Sequence, residues 1–331
     1  MPQAIQEIPE TEHSVALATL SERQSPCVFR QLNRHWPAVS SSQDICTWLE
    51  ELRHSSVDAP VTVMHSVASN EGRFFYTDDL TRFNFTRERM SFHRFLNALK
   101  SAAQGQPSDA MYLGSVAMSY IAPRFAQLNS VKEMQDAPIN SLWIGTRSRI
   151  ATHYDSTHNL ACVMAGERRF TLFPPAQHAN LYIGPLDNTP AGQPVSLVDV
   201  RAPDYTRFPR YKEAEKVALE ATLAPGDAVF IPGMWWHSVE GLSAVNAMQN
   251  YWWRDVSAFH GAPMDALFHA VLAIRDLPET QRQYWQELFA TYVFNANEQH
   301  HIPDAARGIL NRMDEDSARR LRAQIMQRLN R

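Results

Sequence analysis

From about residue 141 to 253, apolar and polar positions alternate in short runs broken by turn residues, the pattern of an antiparallel barrel or sandwich. The runs are SLWIGT (141–146), NLACVM (159–164), RRFTLFPP (168–175), Ala218–Leu223, AVFIP, WWHSV and NAMQNYWW. NLACVM, the turn Ala165-Gly166-Glu167 and RRFTLFPP together predict a hairpin. A Pro- and Asp-rich stretch, roughly 184–212, predicts a long surface loop, of the kind that carries function when a rigid scaffold holds it. Upstream, 27–32, 60–67, 72–77 and 111–116 read as strands. Helical spacing marks 44–53, with Ser42 as its cap, and a helix from Ser91 through about Ala102 that buries Phe92, Phe95, Leu96 and Leu99. After about 258 the period becomes helical in PMDALFHAVLAI, QYWQELFATYVF and ARRLRAQIMQRL, with Asp314, Glu315 and Asp316 suited to a helix N-terminus. The expected organisation is a β-rich domain over 1–257, with a mixed N-terminal segment, and a helical region over 258–331.

Composition narrows the class. A net charge of -4 leaves no electrostatic footprint for nucleic acid or an acidic membrane, so Arg319, Arg320, Arg322 and Arg328 read as one solvated helix face. No apolar run reaches membrane-spanning length, and the N-terminus lacks the basic and apolar regions of a signal peptide. Cys27, Cys46 and Cys162 are odd in number and widely spaced, neither a disulfide framework nor a zinc pair, which points to a reducing cytoplasm. Trp235, Trp236, Trp252 and Trp253 crowd into 19 residues beside a candidate ligand, and the first three are expected to form an aromatic pocket.

The chemistry centres on His153-Tyr154-Asp155, with His237 following 82 residues after the aspartate. Residues i and i+2 of a strand point to one face, so His153 and Asp155 can grip one ion. A third ligand from a distant strand completes a 2-His-1-carboxylate set with three adjacent open positions, as non-haem Fe(II) oxygenases require. A lone His-x-Asp is weak, and its bland reading is a solvated histidine beside an acid; here it is the sole His-x-Asp or His-x-Glu in the chain. His158 reads as a rim residue, since a fourth ligand would close the oxygen site. Arg168 shares parity with Phe170 and Leu172, which predicts an inward guanidinium in need of a carboxylate; the distal carboxylate of 2-oxoglutarate would supply one. A slip of one residue would instead turn Arg168 outward. Asn250 shares parity with Met248 and Trp252 and is also expected inward. Asn159 and Tyr112 carry no signal of their own.

Taken together, RQLNRHWPAV (30–39), MYLG (111–114), THYDSTHNL (152–160), GERRFTLFPP (166–175), DYTRFP (204–209), PGDAVFIPGMWWHSVE (225–240) and NYWW (250–253) resemble the JmjC / cupin-like Fe(II)- and 2-oxoglutarate-dependent hydroxylases. The branch resembled contains the asparaginyl hydroxylase of hypoxia-inducible factor and the tRNA wybutosine hydroxylase. The resemblance covers roughly residues 25 to 255. It implies a mainly β fold, a double-stranded β-helix (cupin or jelly-roll) core with flanking helices, and iron at His153, Asp155 and His237. It implies that Tyr112, Asn159 and Asn250 line the co-substrate or metal pocket, and that Arg168 stands where the family usually has a lysine for the distal carboxylate of 2-oxoglutarate. Ile150 is a second departure, at a position where many relatives place Thr or Ser. The C-terminal helices are similar in position to a dimerisation region, so a homodimer is expected.

The leading expectation is therefore an Fe(II)- and 2-oxoglutarate-dependent dioxygenase that hydroxylates an unactivated C–H bond of a protein side chain, an RNA base or a small molecule; lysine demethylation ranks below it. The alternatives are a metal-binding cupin that isomerises or hydrolyses without oxygen, and a non-catalytic ligand-binding module. Substrate contacts are expected from 184–212 and from 72–90.

Overall fold

A computed structural model describes residues 2–106, 109–190, 192–295 and 301–330. It divides into two compact units, Met1–Arg254 and Asp255–Arg331. Among its described residues the first unit carries thirteen strands: β1 Gln3–Ala4, β2 Gln6–Ile8, β3 Cys27–Phe29, β4 Pro60–Ser66, β5 Arg73–Phe74, β6 Phe85–Ser91, β7 Ala110–Ala117, β8 Ile139–Tyr154, β9 His158–Ala165, β10 Arg168–Phe173, β11 Leu219–Leu223, β12 Ala228–Ile231 and β13 Trp236–Trp253. Their hydrogen-bonded order is β2-β3-β12-β9-β13-β8-β7-β4-β6, with β10 bridging β11 and β13.

The architecture turns on two long strands. WWHSV and NAMQNYWW, separate runs in the sequence, are the two arms of one 18-residue strand, β13, and SLWIGT extends into the 16-residue β8. These strands pair antiparallel from Trp236↔Tyr154 to Trp252↔Ile139, with register shifts after His237 and between Gly241 and Val245. The irregularity bends β13, as bulges do. Its first arm then pairs with β10 (Phe173↔Trp236 to Arg168↔Gly241), and its second with β9 (Ala247↔Ala165 to Trp253↔His158).

That bend corrects the expected hairpin: β9 and β10 follow each other in sequence but pair with different arms of β13. The connection is pinned where Glu167 accepts from Leu242 N at 2.8 Å and donates to Ser243 Oγ at 3.0 Å. Gly166 turns there at φ +68°, and a Cβ on it would lie 2.4 Å from the Val245 carbonyl oxygen.

Alternation sorts the strand residues into two cores. Leu160, Cys162 and Met164 of β9 and Leu142 and Ile144 of β8 face out, toward the helices Ile45–His54 and Phe92–Ala103, whose Trp48, Leu49, Leu52, Phe92, Phe95, Leu96 and Leu99 are buried against them. Ala161, Val163, Phe170, Leu172, Val239 and Met248 face in and form the barrel interior. Ser91 caps its helix by accepting from Arg94 N at 3.2 Å. The other cap is Asp44 and not Ser42: the Asp44 carboxylate accepts from Cys46 N at 3.0 Å and from Thr47 Oγ1 at 2.6 Å. Asp44 has the extended backbone that a cap needs immediately ahead of the helix, whereas the Ser42 hydroxyl is spent on Val39 O at 2.7 Å. Of the run 72–77 only Arg73–Phe74 is strand, pairing parallel with Arg149–Ile150 of β8. The stretch 184–212, of which Ala191 lies outside the described residues, is irregular apart from isolated bridges such as His153↔Val195 and Ile183↔Ser196 and the start of the short helix Tyr211–Lys216.

The second unit contains the helices Pro263–Ile274, Glu279–Phe289 and Glu315–Leu329, the last capped by Asp314 accepting from Ser317 N at 2.7 Å. Arg319, Arg320, Arg322 and Arg328 are exposed. Among its described residues Ala318 alone is buried. No helix among the described residues is long and apolar enough to cross a membrane.

Candidate active site

His153 lies near the end of β8, Asp155 immediately after it, and His237 directly opposite His153 in the β8–β13 register. The two imidazole rings stand 4.3 Å apart between centroids, and His237 Nε2 lies 3.6 Å from Asp155 Oδ2. One ligand atom from each of the three residues falls within 4.8 Å of the others, the one such cluster among the described residues. Each ring is fixed the same way. His153 Nδ1 lies 2.9 Å from the Ala151 carbonyl oxygen, and His237 Nδ1 3.0 Å from that of Trp235. A carbonyl only accepts, so Nδ1 carries the hydrogen and the Nε2 lone pair is turned toward the cluster, the ring orientation that metal-bound histidines adopt. Burial, and next the neighbouring His153, push the pKa of His237 down to about 4, so near neutral pH it is an uncharged donor. Two imidazole nitrogens and one carboxylate are the donor set of a non-haem Fe(II) site, and the cluster fits that ion.

The cluster opens into a cavity of about 330 Å³. Tyr112, Asn159, Ile150 and Asn250 line it with the three ligands, and Trp143, Phe170, Val239, Met248 and Trp252 make most of its wall apolar. Asn250 accepts from Trp143 Nε1 at 2.8 Å and donates to Asn159 Oδ1 at 3.2 Å, which spends one oxygen and one nitrogen of a fully buried amide. Gly145 stands opposite Tyr112 in the β7–β8 register, and a Cβ there would come within 3.0 Å of the tyrosine ring.

Arg168 is 1% exposed inside the barrel, while Arg169 points the other way, half-buried, with Nη1 3.7 Å from Glu240 Oε2. Arg168 Nη2 donates to the Trp143 and Asn246 carbonyl oxygens at 3.1 and 3.3 Å. Its Nε is buried with no partner, and no carboxylate of the described residues pairs with it. Burial lowers its pKa, and the adjacent Tyr112 hydroxyl offsets part of that. An unpaired buried cation with an orphaned N–H is costly, and a carboxylate beside Tyr112 would satisfy both. The donor set at the cluster and the buried cation beside the cavity-lining Tyr112 therefore fit a metal together with an anionic co-substrate.

The expected aromatic pocket needs revision. Trp236 and Trp235 do not line the cavity. His237 points inward, so strand alternation turns Trp236 outward, against Tyr154 and His178, and Trp235 donates its Nε1 to Gln24 O at 3.0 Å. The aromatic wall is Trp252 with Trp143, a residue the sequence reading missed, although Leu142 and Ile144 facing the helices puts Trp143 on the inner face. His158 lies outside the metal cluster, with Nδ1 accepting from Gly233 N at 3.2 Å and its ring against Phe230 and Trp253. The run 72–90 contributes Phe74 and Arg87 to the cavity, and the long loop contributes Pro190 and Gly192. Nothing in the sequence singles out Arg87.

A sequence model of the cupin-like domain matches residues 14–259, well over half of the chain. The chain belongs to the cupin-like, JmjC-related family. This cupin-like chain is 36% identical over 116 residues to the Arabidopsis thaliana protein named lysine-specific demethylase JMJ31, covering 35% of this chain and 21% of that one. It is 34% identical over 117 residues to human HSPB1-associated protein 1, covering 34% and 23% of the two chains. To tRNA wybutosine-synthesizing protein 5 of Danio rerio it is 27% identical over 167 residues, covering 49% and 45%. The matches thus span less than half of these relatives' lengths. The cupin-like JmjC family includes Fe(II)- and 2-oxoglutarate-dependent oxygenases and demethylases, and the cluster of His153, Asp155 and His237 suits that chemistry.

Proposed function

We propose that this chain is an Fe(II)- and 2-oxoglutarate-dependent hydroxylase, with His153, Asp155 and His237 as the iron ligands. The observation that carries the reading is the pairing of a two-histidine, one-carboxylate cluster at the cavity with a buried arginine that lacks a counter-ion and sits behind the cavity-lining Tyr112. The chemistry such a pair of cofactors supplies is oxidation of a C–H bond to an alcohol by dioxygen, coupled to decarboxylation of the keto acid to succinate.

The protein's own residues do the positioning. The carbonyl oxygens of Ala151 and Trp235 hold the two imidazoles in one tautomer. Arg168 and the Tyr112 hydroxyl receive the distal carboxylate, a pair of donors in place of a lysine and a threonine or serine, since Ile150 offers no hydroxyl. Asn159 and Asn250, locked to each other and to Trp143, present a fixed polar edge beside the cluster. Trp143, Met248 and Trp252 keep water from the reacting centre.

Anaerobic crystallisation with Mn(II) and 2-oxoglutarate tests the assignment in one experiment. The expected result is the ion on the three ligands and the distal carboxylate on Arg168. Tight zinc binding with no 2-oxoglutarate turnover would favour the non-oxygenase cupin instead.

Homodimerisation through the second unit is a separate part of the proposal. Leu267 is 45% exposed and Leu272 78%, while Val271, Leu288 and Phe289 are half-buried, an apolar excess that a symmetry mate would cover. Light scattering should report twice the mass of one chain at micromolar concentration; a monomer there removes the idea.

A further inference from the structure

The cavity is also lined by a row of residues that runs across three paired strands. Tyr112 of β7 pairs with Met64 of β4, and Met64 with Arg87 of β6; all three line the cavity. Directly paired residues of antiparallel strands share a face, so Arg87 extends the Tyr112 face of the sheet to its rim. One pair further along, Thr62 lines the cavity opposite Arg89. Between the two arginines, Glu88 points to the other face, where it meets His65 and Arg94. Arg87 thus lines the cavity, Arg89 shares its strand face, and their nearest acid in sequence faces away.

Arg87 is also held in place. Its guanidinium lies 5.5 and 5.3 Å from the ring centres of Phe83 and Phe85, and Nη2 donates to the Pro190 carbonyl oxygen at 3.1 Å. No carboxylate among the described residues pairs with it, and the acid that does line the cavity, Asp155, belongs to the metal cluster. Arg87 is exposed, and the two rings and the backbone carbonyl fix the direction of its guanidinium. Held guanidiniums of this kind recognise carboxylates and phosphates.

Building on the hydroxylase reading, we propose that the primary substrate is a small organic anion whose carboxylate or phosphate docks on Arg87, with its apolar part against the aromatic wall beside the metal. A cavity of about 330 Å³ stands at the small end of the ~300–1,000 Å³ range of ligand pockets, and the co-substrate takes part of it, which favours a small acid over a large ligand. The rim arginine repels a cation, so a methylated lysine side chain is the wrong charge for this entrance.

Three probes on one scaffold test this: 3-phenylpropionate, 3-phenylpropanamide and 3-phenylpropylamine. Each is titrated into the full chain holding Mn(II) and saturating 2-oxoglutarate, and followed by tryptophan fluorescence, because Trp143 and Trp252 line the cavity. The anion should bind on the order of tenfold more tightly than the neutral amide, as a charge-assisted hydrogen bond allows, and the amine most weakly. Arg87→Ala should erase the preference, Arg87→Lys should keep part of it, and Arg94→Ala, on the other face, should leave it intact. Phenyl phosphate beside phenylpropionate distinguishes the two anionic groups.

Equal binding of the three probes, preference for the amine, or an anion preference that survives Arg87→Ala would each overturn the proposal. So would Arg87-dependent binding of an acidic peptide or a short RNA when none of the small anions binds. Titration of 2-oxoglutarate itself keeps the two proposals separable. Arg87→Ala should leave that affinity unchanged, and loss of 2-oxoglutarate binding in the unaltered protein would sink the hydroxylase reading independently of the rim.

Discussion

The metal cluster and the buried Arg168 end of the barrel are built on different principles. At the metal end the anchoring is local: each histidine is fixed by the carbonyl two residues before it, and the third ligand follows two residues after the first. At the Arg168 end nothing is local. The guanidinium reaches carbonyl oxygens on β8 and β13, meets Tyr112 of β7, and keeps an unpaired Nε. On the proposed reading the first end would hold an ion with the protein atoms present, and an anion would offset the cost of the second end's buried cation. The metal end can therefore form wherever two strands pair in register, whereas the co-substrate end depends on the whole barrel closing.

The largest effect should come from removing a ligand. His153→Ala or Asp155→Ala is expected to abolish Fe(II) binding and 2-oxoglutarate decarboxylation while leaving the fold largely intact. Both residues are only half-buried and neither contributes to the apolar cores. Equilibrium dialysis with Fe(II), alongside circular dichroism, reads both halves. Wild-type turnover in either variant would mean that the ion sits elsewhere.

The other end should respond by degree. Truncating one member of a buried charge pair costs on the order of 3–5 kcal/mol, so Arg168→Ala should weaken 2-oxoglutarate binding by about several hundred-fold or more. Because the arginine has no carboxylate of its own, the same variant should lose little stability in the absence of co-substrate. That split separates the two ends more sharply than affinity alone. Arg168→Lys should fall between, since a point charge replaces a planar fork and cannot reach both backbone carbonyls while also binding the ligand. An affinity for Arg168→Lys equal to that of the unaltered protein would mean that the fork itself is unused.

How much of this was legible in the sequence follows the same division. His153 and Asp155 could be read because strand period puts them on one face, and His237 was read as the distant third ligand, which the resemblance to the family also implied. Arg168 could be read only to a face, from its parity with Phe170 and Leu172; its partners depend on a bend in β13 that the sequence does not announce. That bend, centred on Leu242–Ala244, also undid the expected hairpin between β9 and β10, since consecutive strands are natural partners until a bent third strand separates them. Trp236 was misassigned for a simpler reason: tryptophans beside a ligand suggest a pocket, yet alternation forbids two adjacent strand residues from sharing one. Arg87 left no trace, because its role rests on which strands pair and not on any feature of TRERMS.

The smallest expected effect is the control on strand register. Arg169 lies one residue from Arg168 on the other face of β10, half-buried, 3.7 Å from a Glu240 carboxylate that also pairs with Arg201. Arg169→Ala removes one arm of that network and leaves the other, and a partly exposed ion pair is worth about 0–1 kcal/mol, so stability should fall by no more than that. Nothing on that face reaches the cavity, so 2-oxoglutarate affinity should stay within about twofold of the unaltered value, a shift below about half a kcal/mol. The comparison with Arg168→Ala is the decisive one, because the two variants delete the same side chain at neighbouring positions and differ only in the face of the strand. A loss of affinity at Arg169 with Arg168 silent would put the register of β10 one residue out. Silence at both would remove 2-oxoglutarate as the co-substrate and leave the metal end standing alone, which is the arrangement of a cupin that uses its ion without a keto acid.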